Sequence, residues 1–392
     1  MKRHALAISL LATVVTALAS GSAMLLAAKE PATDVVAVDS AALAALGETL
    51  FFDRNLSFNR TQSCATCHDP DQGFADPRGL ATSLGDDGES LGDRNAPTAA
   101  YGALVPPLHR SEDGKWVGGL FHDGRALRLE DQAGGPPLNP SEMGMPDKAA
   151  VAERLRENAV YRTDFPQLFG QGILDDPNAA YMALTKAIAA FERTDLFAPF
   201  DSRYDRFLRG EAKLTDEEEL GRVLFFSQQF TNCSQCHQLS RSQMDPRETF
   251  TDHRYHNIGV PENTALHQAN GVAAGTVDPG LAGNPLVDRP EERGKFRTPT
   301  LRNVAVTGPY MHNGVFGNLR TVVSFYNRYN SKATAAQINP ETGRLFGSPP
   351  VPDTLAVTEL THGPALDDRR VDALVAFLKT LTDSRYEKLL DE

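Results

Sequence analysis

Cys64-Ala65-Thr66-Cys67-His68 and Cys233-Ser234-Gln235-Cys236-His237 spell one five-residue pattern twice and use every cysteine in the chain. The same neighbours recur around each copy. Leu46-Gly47-Glu48-Thr49-Leu50-Phe51-Phe52 precedes the first, and Leu220-Gly221-Arg222-Val223-Leu224-Phe225-Phe226 precedes the second. Downstream, Arg94-Asn95-Ala96-Pro97-Thr98 runs on to Phe121-His122-Asp123-Gly124, and its echo is Arg297-Thr298-Pro299-Thr300 running on to Met311-His312-Asn313-Gly314. Each half closes on an apolar helical pattern, Ala187 to Thr194 and Ala373 to Thr380. Matched features in one order predict a duplicated domain, the halves meeting near residue 205 after the stretch from Asp195 that contains Pro199.

Cys-x-x-Cys-His is the attachment signature of a c-type haem. Two thiols add to two vinyl groups, and the adjacent histidine turns its ring onto the iron. One haem per half accounts for all four cysteines. A single zinc site is the rival, but zinc ribbons place their cysteine pairs about fifteen to twenty residues apart, far closer than here. A thioredoxin-like redox pair leaves the histidine after both motifs unexplained.

The 392 residues suffice for two domains. Apolar residues at 41% and charged residues at 23% are globular values that exclude wholesale disorder. Asp+Glu at 51 against Lys+Arg at 39 gives a formal charge of −12, which argues against nucleic acid as partner. Helical spacing of Leu43, Leu46 and Leu50 predicts a helix over 41–51, and Leu220, Val223 and Leu224 predict another over 216–226, with Thr215 and Glu218 as a capping box. Residues 148–158 and 178–192 also read as helices, with Gly/Pro-rich loops at 73–92 and 134–146. No strand-rich sheet can be placed. The expected fold is mainly α, two tandem cytochrome c-like domains over 29–205 and 206–392.

Residues 1–28 read as a signal peptide. Lys2 and Arg3 precede an uncharged apolar run from Ala5, and Ala17-Leu18-Ala19, Gly21-Ser22-Ala23 and Leu26-Ala27-Ala28 all have the small-x-small form of a cleavage site. An uncleaved anchor is the alternative. Both place the folded part outside the cytoplasm, where c-type haems are joined, and the periplasm is the expected location. Cleavage takes the formal charge to −14.

The sixth iron position separates an electron carrier from an enzyme. Asp69 to Leu108 contains neither His nor Met, so the iron held by His68 is expected to be open. In the second half no Met follows Met311, leaving Met244 or Met311 for a thioether-ligated haem.

These segments resemble the bacterial dihaem cytochrome c peroxidase superfamily and, within it, the MauG branch, over nearly all of residues 41 to 390. Family peroxidases place a Met fourteen residues after the His of the motif matched by Pro309-Tyr310-Met311-His312-Asn313-Gly314. Here that position is Tyr326, the mark of MauG-type proteins. The resemblance implies that Tyr326 joins His237 on the second iron, and a phenolate, as a hard anionic donor, favours the higher oxidation states. It also implies that Glu142 is the carboxylate that shuttles a proton during O–O cleavage, that Gln132 hydrogen-bonds the bound oxygen, that Pro136 shapes access, and that Asn95, Thr307 and Pro309 hold a calcium ion. His122 stands where the family has a Trp that couples the haems, and Thr231 where the branch has another. His122 is then expected to keep the haems in contact by bonding a propionate or water. His253 and His256 are expected at the surface or on a propionate, and His109, His267 and His362 in solvent.

The implied activity is that of a dihaem oxidase using hydrogen peroxide at the His68 haem. It passes two oxidising equivalents to a partner protein, in this branch a methylamine dehydrogenase precursor whose tryptophan tryptophylquinone is completed. The alternatives are a peroxide-scavenging cytochrome c peroxidase fed by a small cytochrome or cupredoxin, and a dihaem electron carrier without catalysis.

Overall fold

The computed structural model describes residues 39–391 except Arg241 and Asp288. The predicted signal peptide lies outside the described residues. Helices and irregular loops make up nearly all of the described residues. Among the described residues the named strands form three antiparallel ribbons of two-residue strands, pairing His109–Arg110 with Trp116–Val117, Tyr255–His256 with Phe296–Arg297 and Ile338–Asn339 with Arg344–Leu345. Among the described residues no helix is long and apolar enough to cross a membrane.

Two helix crossings organise the molecule. Ser40–Phe51 starts at the Asp39 side chain, which accepts from the Ala41 amide at 2.9 Å, and crosses Pro177–Glu192. Asp216–Phe225 starts at the predicted capping box, with Thr215 N donating to Glu218 Oε2 at 2.7 Å and Glu218 N to Thr215 Oγ1 at 3.2 Å. It crosses Asp368–Lys379. Both crossings are closed by a glycine. A Cβ on Gly47 would lie 1.9 Å from the Ala187 carbonyl oxygen, and one on Gly221 would lie 1.8 Å from that of Ala373.

A hydrophobic core surrounds each crossing. Leu46, Leu50, Phe51 and Phe191 pack with Phe74 and Phe197 in the first; Leu224, Phe225 and Phe377 pack with Tyr204 and Phe250 in the second. The chain passes from one to the other between Phe200 and Tyr204. Polar links then join the cores into one unit. The Asn95 amide donates to the His312 carbonyl at 2.8 Å, the Arg297 amide to that of His122 at 2.9 Å, and Tyr255 Oη to that of Gly118 at 2.6 Å.

Candidate functional site

Both Cys-x-x-Cys segments form single helical turns, Cys64–Cys67 and Cys233–Cys236, and a histidine follows each. His68 Nδ1 lies 3.2 Å from the Phe74 carbonyl oxygen, and His237 Nδ1 lies 3.2 Å from that of Phe250. Each bond makes Nδ1 the donor and leaves Nε2 free to ligate. The carbonyls are aimed by strained backbone, since Phe74 and Phe250 both adopt a left-handed φ of 54°. Thr98 and Thr300, from the two repeated Pro-Thr pairs, pin these turns by donating to the Gly73 carbonyl at 2.6 Å and the Thr249 carbonyl at 2.7 Å. The echo seen in the sequence is therefore a repeated device for holding a histidine.

The two segments open on one cavity of about 950 Å³, lined by Cys64, Cys67, His68, Cys233, Cys236 and His237. Burial pushes the Cys64 thiol up to about 12, the mark of an apolar wall. Burial likewise disfavours protonation of His68 and His237, keeping the imidazoles neutral, the form that binds a metal.

The wall also contains a feature suited to a carboxylate-bearing cofactor. Arg94 is balanced by Asp278 and Asp123, both at 2.7 Å. Among the described residues its counterpart Arg297 reaches only the Phe121 and Thr298 carbonyls, at 3.4 and 3.5 Å, and pairs with no carboxylate. Burial without a counter-charge lowers its proton affinity. Thiol pairs, neutral histidines and an uncompensated guanidinium in one cavity fit a porphyrin with propionate arms.

Over the first segment, Glu142 faces the cavity with Oε1 accepting from Asn139 Nδ2 at 2.8 Å. Burial raises its pKa, while the Asn139 bond and the more distant Arg125 oppose the rise. Gln132, on the Leu129–Ala133 helix, and Pro136, opening a 3₁₀ turn at 136–138, line the same cavity. His122 does too. Its Nε2–H donates to the Asn95 carbonyl at 2.9 Å, and burial pushes its pKa down to about 4, so it is neutral. His122 thus holds a backbone carbonyl through Nε2, where the sequence suggested a propionate or water. Asn95, Thr307 and Pro309 also reach the cavity, and among the described residues the Thr307 and Pro309 carbonyls accept no hydrogen bond.

Over the second segment stands Tyr326, on the Leu319–Asn327 helix. Its hydroxyl has no hydrogen-bond partner among the described residues. Burial raises its pKa, with Cys236 and Cys233 adding to the rise. Met311 lines the cavity, whereas Met244 is 56% exposed and outside it. Thr231 is buried and donates to the Leu224 carbonyl at 2.5 Å.

His267 departs from its expected place in solvent, and His253 from the surface half of its expectation. His253 is 3% exposed and among the described residues neither ring nitrogen has a hydrogen-bond partner; it lines the cavity, on the side where a propionate was expected, and Gly118 N donates to its carbonyl and fixes its loop. His267 is half-buried and faces the cavity from the Thr264–Asn270 helix. His109 and His362 are exposed as expected. Sequence reading missed Arg297 and Glu192. The signal for Arg297 was the repeated Arg-to-Pro-Thr segment, and for Glu192 a lone carboxyl in the apolar 187–194 pattern.

Residues 41–213 match the profile of the family described as di-haem cytochrome c peroxidase. The chain is 56% identical over 355 residues to the methylamine utilization protein MauG of Paracoccus denitrificans, covering 90% of this chain and 91% of that one. It is 34% identical to the cytochrome c peroxidase Ccp of Escherichia coli, over 73% of this chain and 53% of that protein. The crystal structure of the diheme peroxidase BthA from Burkholderia thailandensis is similar with a TM-score of 0.78 at 37% identity, covering 88% of this chain and 86% of that one.

Proposed function

The chain belongs to the MauG branch of the dihaem cytochrome c peroxidase family and is a MauG-like dihaem oxidoreductase; from that premise we propose a periplasmic enzyme that takes hydrogen peroxide at its first haem and oxidises a partner protein. Cys64 and Cys67 carry the first haem, with His68 on its iron. Cys233 and Cys236 carry the second, with His237 and Tyr326 on its iron. The two haems belong to tandem domains over 29–205 and 206–392 that arose by duplication. The paired glycine crossings support this reading, as does the passage between cores from Phe200 to Tyr204. Asn95, Thr307 and Pro309 hold a calcium ion through oxygen donors.

The bound haems supply the redox chemistry: reaction with peroxide and storage of oxidising equivalents. The chain supplies the proton chemistry and the walls. Glu142 Oε2, the carboxylate oxygen not engaged by Asn139, accepts the proton of the near peroxide oxygen and returns it to the far one. Burial raises the proton affinity of this carboxyl above the ordinary carboxylate range, which suits it to take up the proton before returning it. Gln132 would hydrogen-bond peroxide from the adjacent helix, and Pro136 would narrow the approach.

One observation carries the choice of a MauG-type activity: the unbonded phenol of Tyr326 faces the cavity of the second attachment site. The partner is a methylamine dehydrogenase precursor. The test adds hydrogen peroxide to the holoenzyme with that precursor and follows the mass of the precursor. A mass change that requires both enzyme and peroxide is expected. Rapid oxidation of a reduced small cytochrome with an unaltered precursor would instead establish peroxide scavenging. That second reading is favoured by His122 and Thr231, because imidazole and hydroxyl are far harder to oxidise than the indoles of the branch pattern.

A further inference from the structure

The two helix crossings fix a register between the halves, and the register isolates one residue. Ala187 and Phe191 pack on Gly47 as Ala373 and Phe377 pack on Gly221. One residue further along, Ile188 and Leu374 both line the cavity, and one turn later Glu192 occupies the position of Leu378. The wall that is leucine beside the second attachment segment is a carboxyl beside the first.

Glu192 is 8% exposed and accepts no hydrogen bond among the described residues. The charged groups closest to it are already engaged with each other, because Arg193 pairs with Glu130 at 2.8 Å. Cys64, the first attachment thiol, feels Glu192 more strongly than any other charged group. Burial pushes the Glu192 carboxyl up to about 8, with Arg193 opposing and Glu130 adding to the rise. A carboxyl in an apolar wall without a partner costs stability, and Leu378 shows that the fold does not need one there.

We propose that Glu192 is a proton acceptor coupled to the oxidation state of the first haem. When the iron held at His68 gains one electron from an external reductant, the Glu192 carboxylate takes one proton from water; when that electron leaves, the carboxylic acid returns the proton. The coupling is electrostatic. Reduction removes one positive charge from the iron, and in a low-dielectric wall the lost attraction raises the proton affinity of the nearby carboxylate. Leu378 can make no such exchange, so the two haems respond differently to pH. The inference rests on the first haem lying at Cys64 and uses neither peroxide nor partner, so its failure is distinguishable from failure of the proposed activity.

The test is a spectroelectrochemical titration of the holoenzyme between pH 6 and pH 9, with two haems per chain confirmed by mass. In the wild type the ferric-to-ferrous ratio of the first haem at fixed potential is expected to change tenfold per pH unit, or 59 mV for one electron. Glu192→Gln, which keeps the shape, and Glu192→Leu, which copies the second half, are each expected to reduce that dependence to below twofold. Glu142→Gln, which alters another of the carboxyls lining this cavity, should retain it. A flat wild-type profile, or a slope unchanged in both Glu192 variants, overturns the proposal, as does a slope lost only in Glu142→Gln.

Discussion

Tyr101 Oη donates to Asp383 Oδ1 at 2.7 Å, joining the first core to the C-terminal end of the second across 282 residues. Asn303 Nδ2 donates to the other oxygen at 2.8 Å, and the Asp383 amide returns a bond to Asn303 Oδ1 at 2.8 Å. Burial pushes this carboxyl up to about 6 from an ordinary 3.8, despite the bonds from Asn303 and Tyr101. The unfolded chain is therefore more ionised than the folded one between about pH 4 and pH 6. The contribution of Asp383 is fully present below pH 4 and falls as pH rises through that window, by about 3 kcal/mol at most. Asp383→Asn should flatten this part of the profile, while giving up the Asn303 bond at about 1 kcal/mol. Denaturant unfolding of wild type and variant at pH 4 and pH 7 checks it, and an equal pH dependence in both would count against the assignment.

Gly47 and Gly221 should tolerate no side chain. An alanine Cβ at either would sit inside van der Waals contact with a helix carbonyl, at 1.9 and 1.8 Å, and the crossing can relieve this only by moving a whole helix. Gly47→Ala and Gly221→Ala are each expected to destabilise by about 3 kcal/mol. Thermal unfolding followed at the haem band measures this. A melting temperature within two degrees or so of wild type would show that the helices can part without cost.

The legible parts of the molecule were those written locally. The Asp216–Phe225 helix announces itself through its leucine spacing and capping box, and the structure starts it at the predicted residue. Two of the helices that could not be read show why. Ala159–Phe169 contains Pro166, which removes an internal hydrogen bond and so argues for a break. Leu319–Asn327 contains Thr321-Val322-Val323, β-branched residues that favour strands. Their helicity comes from burial of Tyr161, Phe165, Val323 and Phe325, which is tertiary. The attachment segments were legible because their chemistry is contiguous in sequence. The surroundings were not: Arg94 has Asp123 and Asp278 as partners, both supplied by other loops, and nothing local in the sequence separates it from Arg297 in this respect.

Glu142→Gln should slow the reaction of the holoenzyme with peroxide by about 100-fold or more, the range that positioned acid–base groups supply. The amide preserves the contact with Asn139 and cannot carry the proton. Because burial raises the Glu142 pKa, the wild-type rate should fall as pH drops through a value above the ordinary carboxylate 4.5, where the base becomes protonated. Stopped-flow absorbance with excess peroxide, at matched haem content, reports both effects. An unaffected rate rejects Glu142 as the proton carrier.

Tyr326 is held in place from two sides. Phe325, fully buried against Phe316 at 5.2 Å and Phe346 at 5.6 Å, sets the rotation of its helix. Glu341 fixes the helix start by accepting from the Gly317 and Asn318 amides at 3.0 and 2.8 Å. The next residue must then point away from that aromatic cluster, and the phenol reaches the cavity where Cys233 and Cys236 stand. If the phenolate ligates the second iron, Tyr326→Met replaces a hard anion with a soft neutral sulfur and should shift that haem toward ferrous by at least tenfold, or 59 mV. Tyr326→Phe keeps the packing but removes the oxygen donor, so it should change the ferric spectrum of the second haem without loss of stability. The two variants separate ligation from packing. A core tyrosine would let Phe pass without spectral change, and an oxidised spectrum identical to wild type in both variants would refute ligation by Tyr326.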